Sequence, residues 1–267
     1  MDARPDTRAE HRLEHRRSAV RTAVVWDALQ ASLDTQSATL ADVRPLDVLD
    51  LGGGTGGFAV RVATSGHQVT VVDPSPDALA SLARRASESG VEHRVRGVQG
   101  DSTDLLDVVG EASADIVLCH GVLEVVDDPD QALRVLAAAL RPGGRISLLV
   151  AQHTAAVFAR ALAGHLADAQ RLLAEADDAA SGGGGRGAVA PAPRRFTEPG
   201  VVAALDATGY DVETVHGVRV FADLVPSALV DGEPGAADAL LRLEAEAAGR
   251  PELRAVAAQL HVLAVRR

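Results

Sequence analysis

A chain of 267 residues is long enough to bury a full core, and an apolar share of 47% with 2% aromatics leaves that core to Val, Leu and Ala. The formal net charge of -11, with no lysine, argues against nucleic-acid binding through the whole surface, because phosphate contacts need clustered cations. Cys119 is the single cysteine, which excludes an internal disulfide and a cysteine metal site, and no apolar run reaches the roughly 18 residues of a membrane span. The expectation is a soluble, cytoplasmic protein with no metal and with neither membrane nor DNA as partner. These totals do not speak to oligomeric state.

Residues 8–33 have helix-favouring composition, with Leu13, Val20, Val24, Leu29 and Leu33 spaced along one stripe. Arg8, Arg12 and Arg16, one turn apart, read as a solvated face beside Glu10 and Glu14. From residue 46 a strand-helix alternation sets in. Short apolar runs lie at 46–51, 68–72, 94–98, 115–119 and 145–150, separated by helix-length segments at 57–65, 76–90, 103–110 and 129–140. Such alternation predicts a parallel sheet covered on both faces, with ligand at the carboxyl ends of the strands.

A helix is expected over 153–179, then a glycine-rich segment with Pro191 and Pro193 that reads as a mobile lid near 180–194, lying over the cleft. A helix at 198–208, a strand pattern at 211–220, an acidic helix at 235–248 and a last strand at 259–265 complete the chain. The fold class is therefore α/β: a doubly wound, mostly parallel seven-stranded sheet with helices on both faces. The expected domains are a helical extension over 1–45 and the main domain over 46–267, with a cap or lid insertion at about 153–208.

The stretch "VLDLGGGTGGFAV" carries Gly52, Gly54 and Gly57 in the spacing G-x-G-x-x-G, and Asp73 ends the next strand about twenty residues later. Both signals suit a dinucleotide. Asp50, however, sits at the tip of the first strand, where a carboxylate repels a pyrophosphate and attracts an ammonium or sulfonium. S-adenosylmethionine offers both cations and no phosphate. Asp73 can accept from ribose hydroxyls, and Gly100-Asp101-Ser102 after the third strand can read an adenine edge. His120 follows the fourth strand, and "LRPGG" reads as a helix stop and turn into the fifth. These signals in this order resemble the class I S-adenosylmethionine-dependent methyltransferases, whose fold is Rossmann-like.

A closer resemblance rests on "VRTAVVWDAL", "HGVLEVVDDP", "LRPGGRISLL", "GVRVFADL" and "LLRLEAEAAGRPELRAVAAQLHVLAV". Over 18–164 and 194–267 the chain is similar to the bacterial tRNA 5-carboxymethoxyuridine methyltransferases. That resemblance implies Arg21 on the methionine carboxylate, Gly52 and Gly53, with Gly54 beside them, on the methionine and ribose side, Asp73 on the ribose, Asp101 and Ser102 on the adenine, and His120 near the methionine. Where the family has a lysine-rich stretch, this chain has Glu175, Asp177, Asp178 and glycines, a poor surface for a tRNA backbone. Arg194, Arg195 and Arg219 are the candidates to grip an anionic acceptor. A carboxylate acceptor needs no base; for a hydroxyl or amine, His120 is the candidate catalytic base. The expected function is methyl transfer from S-adenosylmethionine, with S-adenosylhomocysteine as product, to an acceptor such as an anionic small molecule. The alternatives are a tRNA wobble uridine as acceptor, and a non-catalytic cofactor-binding module.

Overall fold

The computed structural model describes residues 7–40, 44–180 and 193–267, with the side chains of 7–21, 175–180 and Ser227 outside the description. Seven strands form one sheet: β1 (Asp47–Leu51), β2 (Gln68–Asp73), β3 (Val95–Gln99), β4 (Ala114–His120), β5 (Leu140–Ala151), β6 (Tyr210–Val218) and β7 (Gln259–Arg266), in the order β3-β2-β1-β4-β5-β7-β6. Every pairing from β3 across to β5 is parallel. The central strand β4 reads Ala-Asp-Ile-Val-Leu-Cys-His and is buried in its first six residues, the near-continuous apolar pattern of a strand covered on both faces.

The helices are α1 (Thr7–Thr39), α2 (Gly57–Thr64), α3 (Pro76–Glu88), α4 (Leu105–Val109), α5 (Pro129–Ala139), α6 (His153–Leu162), α7 (Leu166–Ala180), α8 (Glu198–Ala207), α9 (Ser227–Gly232), α10 (Ala236–Ala248) and α11 (Pro251–Arg254). Three begin with the same chemistry. The side chains of Ser75, Asp128 and Thr197 accept from the N–H groups of Ala78, Gln131 and Gly200, and each is followed by a proline in the first helical residues.

The expected helix over 153–179 is two, because Gly164 at φ +80° ends α6 in the left-handed region. The expected turn at Pro142-Gly143-Gly144 lies inside β5. Ala114 faces Leu140 while Ile116 faces Arg145, so the strand starts before the turn and bulges through it, with Gly143 at φ +74°.

The chain divides into two compact units, 29–151 with 186–215 and 261–267, and 1–28 with 152–185 and 216–260. The division falls inside α1 and not at residue 45. From Leu29 onward α1 belongs to the first unit: Leu29 and Leu33 are fully buried, and Gln36 Oε1 accepts from Arg145 Nε at 3.2 Å. Of the insertion expected at 153–208, α6 and α7 lie in the second unit and α8 in the first. In the second unit the buried Glu244 carboxylate accepts from the N–H groups of Val220, Phe221 and Ala222 at 2.9, 2.8 and 2.7 Å, beside a small core of Val220, Ala247 and Ala257. No helix among the described residues is long and apolar enough to cross a membrane.

At the amino end of the first unit's strands, Asp115 is held on several sides. Arg44 donates to both its oxygens at 2.8 Å, the Asp47 N–H donates at 2.8 Å, and the Arg141 guanidinium is paired with it at 2.8 Å. Burial by itself would raise this carboxyl, but the Arg44 and Asp47 hydrogen bonds and the Arg141 charge outweigh it and hold the pKa below the usual value. Asp115→Asn should lower the unfolding free energy by about 2–3 kcal/mol in urea denaturation at pH 7, less than a fully buried pair because both arginines are partly exposed. A depressed folded pKa gives stability that is present above the unfolded value and lost as pH falls, so the two proteins should converge as pH drops below about 4.

Candidate functional site

The chain leaves β1 towards β2 on one side and enters β4 on the other, so the carboxyl ends of β1 and β4 flank the point where the strand order reverses, the place where open α/β sheets hold ligands. The turn after β1 has Gly52 at φ +69°, Gly54 at φ +55° and Gly56 at φ +79°. A Cβ on Gly52 would lie 2.5 Å from Val122 Cγ2, and one on Gly56 would lie 2.2 Å from Leu82 Cδ1. The sequence spacing pointed to Gly57 as the third glycine. In the structure that part is taken by Gly56, the left-handed residue before α2, while a Cβ on Gly57 would meet nothing within 4 Å.

Gly53 lies outside the left-handed region, but its Cβ would fall 2.4 Å from Asp50 Oδ2: the Asp50 carboxylate is tucked directly beneath the turn. Burial, and secondarily the charge of Asp73, push Asp50 up to about 7. Asp73 faces the same turn from β2, its Oδ2 accepting from Gly54 N and its Oδ1 from Ser75 N, both at 2.9 Å. After β3, Asp101 Oδ1 accepts from the Thr103 hydroxyl at 2.6 Å and the Thr103 N–H at 2.7 Å, which holds this exposed carboxyl below its usual range.

His120 closes β4. Its Nε2 is 2.9 Å from Ser147 Oγ, and Phe58 packs edge-on against the ring at 4.9 Å between centroids. Burial pushes its pKa down to about 4, so the imidazole is neutral at physiological pH and a weak base. The loop that follows is clipped from outside by Arg194: its N–H donates to the Glu124 carbonyl at 2.9 Å, and its guanidinium donates to the carbonyls of Val126 at 2.8 Å and of Leu123 and Asp127 at 3.3 Å. Glu124 in turn accepts from Ala151 N at 2.7 Å, with burial raising its pKa.

Between these ends lies a cavity of about 620 Å³. The structure brings Gly52, Asp73, Asp101, Ser102 and His120 together on its wall, with Pro74, Thr103, Val122 and, from α5, Gln131 beside them. Asp50, Gly53 and Gly54 form and underlie the turn. Arg194 donates to backbone carbonyls through Nη1 and Nη2, and Arg195 is half-buried. Arg219, in the other unit, sits at φ +58° and pairs with Asp223 through Nε and Nη2 at 2.9 and 2.6 Å. Arg21 is in α1, but its side chain lies outside the described residues, as do residues 181–192, which hold nearly all of the expected lid.

Residues 49–146, which contain this turn and all three acidic strand ends, match the family of the methyltransferase domain. The chain is 34% identical over 135 residues to the tRNA 5-carboxymethoxyuridine methyltransferase of Escherichia coli (strain K12), covering 50% of this chain and 49% of that protein. It is 36% identical over 131 residues to the ubiquinone biosynthesis O-methyltransferase of Xanthomonas euvesicatoria pv. vesicatoria (strain 85-10), covering 48% and 52%. The chain thus spans about half the length of the curated relatives it matches. The fold is similar to that of an S-adenosylmethionine-dependent methyltransferase from Mesorhizobium loti, with TM-score 0.53 and 21% identity over 87% of this chain and 96% of that one.

Neighbouring glycines of the turn after β1 should behave in opposite ways. Gly56→Ala combines a positive φ with an overlap on the buried Leu82 and should cost about 1–3 kcal/mol in thermal or urea unfolding. Gly57→Ala, in open space at the start of α2, should be neutral or stabilising by up to about 1 kcal/mol.

Proposed function

We propose that the protein transfers methyl groups from S-adenosylmethionine, bound where the ends of β1, β2, β3 and β4 meet. The observation that carries this reading is the row of carboxylates at three successive strand ends, Asp50, Asp73 and Asp101, gathered around a glycine turn. A pyrophosphate would be repelled there. A nucleoside carrying an ammonium and a sulfonium suits it.

In this reading Asp73, already fixed by two backbone N–H groups, accepts from the ribose hydroxyls with its remaining lone pairs. Asp101 and Ser102 read the adenine edge, and the backbone of Gly52, Gly53 and Gly54 admits the methionine where side chains would clash. Arg21 is assigned the methionine carboxylate on family resemblance. When bound, the cofactor supplies a methyl group made electrophilic by its sulfonium. The chain's own task is to align an acceptor with it and to exclude water, which the apolar Val122, Val125, Val126, Ala132 and Val135 on the cavity wall favour. His120 lines the site as a neutral ring.

The acceptor we infer is a small molecule. Arg194 and Arg219 are committed to carbonyls and to Asp223, the chain has no lysine, and Asp127 and Asp128 stand on the wall. A tRNA acceptor is the second reading, favoured by the 34% identity to a tRNA methyltransferase.

Calorimetry should show S-adenosylmethionine and S-adenosylhomocysteine binding and NAD not binding; micromolar NAD affinity with no response to S-adenosylmethionine overturns the reading. Asp73→Ala should weaken the cofactor by about ten- to a hundred-fold, or about 1.5–3 kcal/mol. Asp50, at about 7, is mostly protonated at pH 6, and a neighbouring cation favours its ionised form. Binding below pH 7 should therefore release a proton, and affinity for S-adenosylmethionine should climb as pH rises through 7. Labelled methyl transfer, offered a metabolite extract and total tRNA separately, should label the metabolite fraction. Label in tRNA supports the second reading, and tight cofactor binding with transfer to neither leaves a non-catalytic binding module.

A further inference from the structure

Three polar side chains cross the centre of the sheet from β4 through β5 to β7. Ser147 Oγ lies 2.9 Å from His120 Nε2 and 2.7 Å from His261 Nε2, and Ser147 and His261 are both fully buried among Val, Leu and Ile. Such groups persist in a core only when their hydrogen bonds are made, and a network of this kind fixes orientation where an apolar filling would not. One end of the row, His120, is on the cavity wall.

We propose that Ser147 and His261 are positioning residues for this cavity: through one shared hydroxyl they hold the neutral form of His120 in a single tautomer, with its ring fixed at the end of β4. A serine hydroxyl has one hydrogen. If it donates to one Nε2 it must accept from the other, so one ring carries its Nε2 hydrogen and the other does not. The tautomer of His120 is therefore set by that of His261. If both rings were charged, both would point N–H groups at Ser147, and the hydroxyl hydrogen would lose its acceptor.

His120 Nδ1 is buried without a hydrogen-bond partner among the described residues, so Ser147 provides the bond that orients the ring. Phe58, edge-on at 4.9 Å, limits its rotation, and the rings of His120 and His261 stand at 82° with centroids 6.0 Å apart. A neutral, fixed ring is what a wall needs if it faces a sulfonium, since an imidazolium there would repel it. This last point rests on the proposed cofactor; the tautomer itself does not.

The test is ¹⁵N NMR of histidine-labelled full-length protein at pH 7, with the His120 signals identified by their loss in His120→Gln. The wild type should show His120 in one neutral tautomer, and Ser147→Ala should show it averaged between two, with S-adenosylhomocysteine bound about ten-fold more weakly. Ser147→Thr, which keeps the hydroxyl, should restore the single tautomer. In His261→Phe the hydroxyl loses its second histidine and should donate to His120, which should then appear as the Nδ1–H tautomer. An averaged or cationic His120 in the wild type, an unchanged His120 signature in Ser147→Ala, or an Nε2–H tautomer in His261→Phe each overturns the proposal. Failure of wild-type protein to bind S-adenosylhomocysteine at all would instead sink the proposed function, leaving the NMR result to decide this inference alone.

Discussion

The turn from β1 into α2 has room for backbone and for almost nothing else. Val122, from the loop after β4, presses on Gly52; Leu82, from α3, presses on Gly56; and Asp50 fills the space under Gly53. Two elements distant in sequence, the loop after β4 and α3, therefore converge with the end of β1 on one turn, and each of these side chains would be displaced by a single added carbon. Asp73 completes the lock by accepting from Gly54 on one side and Ser75 on the other, joining the end of β1 to the start of α3. The cavity is the space that this arrangement leaves open at the carboxyl ends of the strands.

Charge is distributed differently at the two ends of the parallel strands. At the amino end, Asp115 is neutralised by Arg44 and Arg141, an arrangement that contributes stability. At the carboxyl end, Asp73 and Asp101 are held by backbone N–H groups and by a threonine hydroxyl, which fix their geometry and keep oxygen lone pairs available. Asp50, buried beneath the turn, is costly to ionise without a cation nearby. The first end is neutralised by arginines, whereas the second leaves carboxylate lone pairs facing the cavity.

The arginines divide along similar lines. Arg194, which sequence reasoning assigned to an anionic acceptor, is bound to the carbonyls of the loop whose Val125, Val126 and Asp127 line the cavity. A guanidinium has five donors in a fixed fork, so one residue can clip several carbonyls of an irregular loop at once. Its contacts tie the chain just before α8 to that loop.

The sequence by itself determined the elements and the acidic strand ends. Seven strands fall where the apolar runs placed them, and Ser75, Asp128 and Thr197 start helices as their chemistry requires, because periodicity and capping act over a few neighbouring residues. It left other features unresolved. That Gly56 and not Gly57 is the confined glycine depends on Leu82; that "LRPGG" bulges inside β5 depends on the register of Ala114 and Ile116; and the division of α1 at Leu29 depends on what packs against it. Ser147 and His261 did leave a trace, as polar residues inside "ISLLV" and "LHVLA", which ask for partners without naming them. Their meeting with His120 was decided only by the tertiary structure, because a hydrogen bond between residues 114 positions apart is a fact of distance that no local pattern encodes.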